Sequence, residues 1–100
     1  MTFRNIDVPV NDLLQTIYIA NIPFDATEES LRKKIETVSE VVKLYWALDG
    51  ETNHFAGFAF ATLQNNKDCL KAIEDLNRKD FNGRPLHVAP PINNDGRPIY

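Results

Sequence analysis

One hundred residues, 43% hydrophobic and 25% charged, describe about one globular domain. A formal net charge of −3 excludes a protein that grips a polyanion by bulk positive charge, so any nucleic-acid site must rest on specific surfaces. A single cysteine, Cys69, excludes an internal disulfide, and no apolar run approaches the roughly 20 residues of a membrane helix. Residues 1–10 carry no basic-then-apolar leader pattern, and no Asn-x-Ser/Thr acceptor is present. A reducing, intracellular setting with no membrane partner is the expectation.

Residues 1–15 form an N-terminal extension with Val8, Val10, Leu13 and Leu14, in which Asn11 can start a short helical turn. Thr16 to Ala20 (TIYIA) is β-branched and aromatic and stops at Asn21-Ile22-Pro23, which predicts a first strand. Asp25 or Thr27 then caps a helix whose first turn holds Glu28 and Glu29, acids suited to the positive end of the helix dipole. Leu31, Ile35 and Val38 give that helix one apolar face. Glu28–Arg32 and Glu29–Lys33 are acid-before-base pairs on its solvated side.

Val41 to Leu48 (VVKLYWAL) predicts a second strand, followed by a turn at Asp49–Asn53. Gly57 to Leu63 (GFAFATL) predicts a third. Asn65 or Asn66 caps a second helix with Cys69, Ala72, Ile73 and Leu76 on one face, where Cys69 serves as a small buried apolar residue. Asn82-Gly83 is a tight-turn dipeptide, and Leu86 to Val88 is a short fourth strand ended by Pro90-Pro91. Residues 90–100 read as a C-terminal tail or linker. Either extension can fold over the sheet, and then it would block or extend whatever binds there.

The order is βαββαβ, which predicts an α+β, ferredoxin-like sandwich over residues 16–89. Right-handed crossovers put both helices on one face of a four-stranded antiparallel sheet. The other face is left for a ligand. Alternation sorts Ile17 and Ile19 from Tyr18 and Ala20, and Phe58, Phe60 and Thr62 from Ala59, Ala61 and Leu63. Two phenylalanines in one strand normally point into a core. Yet Ile17, Ile19, Leu44, Trp46, Leu48, Leu86 and Val88 already supply one, and alternation alone does not decide.

At this point the residues resemble a family. Ala56 to Leu63 (AGFAFATL) is similar to the eight-residue ribonucleoprotein motif of RNA-recognition-motif domains, Lys/Arg-Gly-Phe/Tyr-Gly/Ala-Phe-Val-x-Phe/Tyr. Ile17 to Ile22 (IYIANI) resembles the partner motif on the first strand, and the flanks Asp49–Thr52 and Asn82–Leu86 agree. The resemblance implies that Tyr18, Phe58 and Phe60 stand on the open face and stack two to three bases of single-stranded RNA. Each such contact is worth about 1–3 kcal/mol. It further implies a binding module in mRNA processing, without cofactor or metal, intracellular and more nuclear than cytoplasmic. It is expected to be monomeric and to work beside other proteins or further RNA-binding domains.

Other candidates follow by phase. Tyr45 shares a phase with Lys43 and Ala47 and is either a fourth open-face ring or a packed edge tyrosine; Trp46 points inward. His87 should face outward, toward a base edge, a phosphate or plain solvent. Lys43 and Arg84 are the best cations for phosphate or base contacts, while Asn21 terminates the first strand. The motif's leading cation is replaced by Ala56, its last aromatic by Leu63, and Phe55 before it can add a contact or pack at the edge. Few phosphates can then be neutralised. Micromolar affinity, about 8 kcal/mol, and a shallow salt dependence are the expectation.

Two other classes compete with this reading. Some members of the fold bind peptides through a helix face and an Arg-x-Phe element, which here reads Lys79-Asp80-Phe81, a poor match. An enzyme lacks support: there is no phosphate-binding glycine loop and no Cys/His cluster at metal spacing, and His54 and His87 serve no evident nucleophile.

Overall fold

Ile17 and Ile19 are fully buried while Tyr18 and Ala20 are only partly covered, so the first full strand already separates two environments. The computed structural model, which describes residues 2–100, builds a sheet and two helices on that separation. The strands are β1 (Phe3–Arg4), β2 (Thr16–Ala20), β3 (Val41–Asp49), β4 (Phe55–Leu63), β5 (Asp80–Phe81), β6 (Arg84–Pro85) and β7 (His87–Ala89). The helices are α1 (Glu28–Glu36) and α2 (Asn66–Leu76), and a 3-10 helix spans Val10–Gln15. No helix among the described residues is long and apolar enough to cross a membrane.

The main sheet is antiparallel in the order β1-β3-β4-β2-β7. Four of these strands are the predicted ones; the fifth, β1, adds to the edge of β3 with Phe3 opposite Asp49 and Arg4 opposite Leu48. The four-stranded expectation is corrected to that extent. A strand of two residues is too short to carry a period, so β1 left no pattern to read.

Both helices start as their sequences dictate. Thr27 Oγ1 accepts from the Ser30 amide at 3.0 Å and Ser30 Oγ accepts from the Thr27 amide at 2.9 Å, a reciprocal capping box. Asn65 Oδ1 accepts from the Asp68 amide at 2.8 Å to cap α2. Lys33 pairs with Glu29 at 3.5 Å, whereas Arg32 donates to the Val41 carbonyl instead of turning back to Glu28.

The core lies between helices and sheet. Leu31 and Ile35 of α1, with Cys69, Ala72 and Leu76 of α2, meet Ile17, Ile19, Leu44, Trp46, Leu63 and Val88. Small Ala59 and Ala61, both fully buried, leave room for the helices to approach β4. Phe55 stacks on Trp46 at 3.8 Å and so packs against the core. Burial raises the pKa of the Cys69 thiol, which stays protonated and unreactive.

One tight turn depends on left-handed backbone at both central residues. Asn82 and Gly83 take positive φ, 51° and 90°, and close the β5–β6 hairpin as an Asn-Gly turn should. The tail segment doubles back. Ile92 bridges to Pro98, Asn93 Oδ1 accepts from the amides of Asp95 and Arg97, and the Tyr100 hydroxyl donates to the Thr16 carbonyl at 2.7 Å. Replacing Tyr100 by Phe removes that bond and should lower stability by about 1 kcal/mol. Urea unfolding should show a lower midpoint at unchanged m-value.

Candidate nucleic-acid interface

Because both helices cover one side, the residues of opposite phase define the other. Register sets them in rows: Tyr18 opposite Phe60, Phe60 opposite Tyr45, and His87 opposite Ala20. The ring centroids of Tyr18 and Phe60 lie 5.4 Å apart, Tyr18 and Phe58 5.9 Å, and Phe58 and Phe60 6.1 Å. His87 stands 6.1 Å from Tyr18 and is exposed. These spacings are ordinary for tilted and edge-to-face aromatic pairs. All three predicted rings are half-buried, neither sealed in a core nor fully bare. Partial burial raises the pKa of the Tyr18 phenol, so it keeps its O–H to donate.

Tyr45 departs from expectation. It lies in the open-face phase, yet only 5% of it is exposed, and the Lys43 ammonium sits 4.9 Å from its ring centre. It has no face to offer a base, so the fourth-ring reading is corrected to a packed tyrosine. The adjoining edge of β3 carries the N-terminal segment: Asn5, at φ 67°, donates from Nδ2 to the Trp46 carbonyl at 2.8 Å.

That segment is the feature sequence reasoning left open. Phe3 packs edge-to-face on Phe58 at 5.0 Å and so adds a ring to the cluster. Half-buried Ile6 and Val8, with Leu13 of the 3-10 helix, then form one side of a pocket of about 490 Å³. Its floor is Tyr18 and Phe60, with His87 beside them. Pro90, Pro91 and Ile92 form the other side. Only the apolar pattern of Val8 and Leu13 hinted at this, and it did not say where they would land.

The cations bracket the rings from opposite ends. Lys43, opposite Thr62, is exposed near the start of β2. Arg84, also exposed, donates to Asn21 Oδ1 just beyond the end of β2, while Asn21 Nδ2 donates to the Pro85 carbonyl at 2.7 Å. Asn21, at φ 60°, therefore both ends the strand and holds the β6 backbone beside it. Thr16 and Thr62 are buried and bonded to each other at 3.0 Å, so this end of the face is polar but satisfied.

Comparison with known proteins places this geometry. A family model described as RNA recognition motif matches residues 17–87. Human cleavage stimulation factor subunit 2 is 35% identical over 82 residues, covering 82% of this chain and 14% of that protein. Human probable RNA-binding protein 19 is 32% identical over 74 residues, 74% of this chain and 8% of that protein. The chain thus spans a small part of the curated relatives it matches. Among solved structures, the RNA15 RRM superposes with a TM-score of 0.72 at 27% identity, covering 81% of this chain and 93% of that one. The Rna15 RRM with bound RNA (GU) gives 0.70 at 26% identity, covering 79% of this chain and 84% of that one. A match across most of the chain, with the expected strand and helix order, means that this chain belongs to the RNA recognition motif family.

Proposed function

We propose that the chain is an RNA-binding module, not an enzyme, that stacks bases of single-stranded RNA on Tyr18, Phe58 and Phe60. The observation that carries the reading is the ring cluster itself. Three aromatic side chains from two neighbouring strands gather within about 6 Å of one another on the face that no helix covers. Nucleobases offer π-faces, and rigid rings meet them with little entropy to lose. A relative in the same fold was solved with RNA, which supports RNA as the ligand class.

Two to three bases fit the cluster. Lys43 and Arg84 supply phosphate or base-edge contacts at its two ends, and His87 offers a hydrogen-bonding ring beside Tyr18. The name of the cleavage stimulation factor relatives supports a role in mRNA processing, which is a nuclear setting. A monomer working beside other proteins or further RNA-binding domains fits a weak module, since linkage supplies the affinity that one module lacks.

Phe60→Ala should weaken binding to short single-stranded RNA by about 1–3 kcal/mol, roughly fivefold to 150-fold, while the amide spectrum of the fold is retained. Unchanged affinity in that variant sinks the stacking proposal. The salt dependence should be shallow: with two phosphate-directed cations, log Kd should change by no more than about 1.5 per log unit of salt. Fluorescence anisotropy across a salt series reads the slope.

A further inference from the structure

We infer that the pocket between the two chain extensions encloses a single nucleobase, so that residues outside the family match are part of the binding site. The inference rests on the RNA-binding reading above and names what the extensions add to it.

The pocket's composition carries it. The floor is two aromatic rings, Tyr18 and Phe60, and the sides are aliphatic or proline. Among the lining side chains only Tyr18 and His87 can hydrogen-bond. An apolar pocket with two aromatic rings and two hydrogen-bonding side chains suits a ligand with π-faces and a polar edge, which describes a base. Its volume of about 490 Å³ lies in the lower half of the usual range for small-ligand sites, about 300–1,000 Å³. Phe58 lies 5.9 Å from Tyr18 and 6.1 Å from Phe60, and exposed Lys43 and Arg84 lie toward opposite ends of β2, so a nucleotide strand has both a platform and cations to follow.

Both walls are held before any ligand arrives. On the N-terminal side, β1 pairs with β3, the Gly50 amide donates to the Thr2 carbonyl at 2.9 Å, and Asn5 binds the Trp46 carbonyl. Asn66 Nδ2 donates to the Leu14 carbonyl at 2.7 Å and pins the 3-10 helix. On the C-terminal side, the Ile99 amide donates to the Pro91 carbonyl at 2.8 Å and Tyr100 is anchored on Thr16. Walls ordered in advance lower the entropy lost on binding.

Gly50 offers a remote handle. A Cβ there would lie 2.8 Å from the Thr2 carbonyl oxygen, a backbone atom that must move, so Gly50→Ala shifts the N-terminal wall without touching the pocket. The double variant Ile6→Ala/Val8→Ala strips the same wall directly. It keeps the test decisive if the added methyl group of Gly50→Ala is accommodated.

The experiment titrates the full chain with fluorescein-labelled random hexaribonucleotides and with GUGUGU. It then uses a set of hexamers from the best binder, each carrying one abasic position. The wild type should show one position where base loss costs about tenfold or more. In the wall variants that penalty should fall severalfold, toward the roughly fivefold that stacking on the floor rings alone supplies at its lower end, because base and wall are coupled. An equal penalty with and without the wall overturns the inference, as does tighter binding of every RNA by the wall variants, which would make the segment a lid. If no RNA binds the wild type, the proposed function fails and takes this inference with it. Binding that needs Phe60 but is blind to the wall overturns this inference alone.

Discussion

The alternation of β4 governs the molecule. Ala59 and Ala61 face the helices and are fully buried, while Phe58 and Phe60 face away. A slip of one residue would exchange the two sets, driving large rings under α1 and α2 and setting methyl groups on the binding face. The pairing of Tyr18 with Phe60 and of Phe60 with Tyr45 holds the register from both sides. Core packing and ligand chemistry therefore depend on the same hydrogen-bonded ladder, and a shift of its register would change both at once.

The second organising element is the pair of extensions. A bare sheet face would let a strand lie anywhere along three rings. Here Phe3 meets Phe58 at one end of the cluster, and Ile6, Val8 and the Pro90–Ile92 stretch stand around the other. Gly50 is the residue that permits the N-terminal part of this arrangement, since its missing side chain is the space the Thr2 backbone occupies.

Much of this is legible in the residues, and the rest is hidden for identifiable reasons. Ile17, Ile19, Leu31, Ile35, Cys69 and Ala72 follow strand or helix periods and are buried as those periods predict. The Asn82-Gly83 turn and the Thr27 and Asn65 caps are local chemistry that a short window reveals. Phe58 and Phe60 are different: a strand period states that they share a side without saying which side is wet, and only the family motif leans one way. Tyr45 keeps its phase and is still buried, because alternation states which side a residue shares and not how much of that side is covered. Phe3, Asn5 and Tyr100 are equally silent, because each acts through one specific contact with a partner distant in sequence.

β2 sits between β4 and β7, so the first full strand of the chain has only late-arriving neighbours. Its residues pair with positions 59–62 and 87–89. By contrast β3 and β4 are joined by a short turn and can zip locally. The ordering entropy of long loops must be met before β2 gains any ladder bonds. Pairing of the strand that bears Tyr18 therefore costs more loop entropy than the β3–β4 hairpin, and the ring cluster is complete only once the whole topology has closed. A partly folded chain would carry the β3–β4 hairpin and its phenylalanines without the tyrosine that completes them.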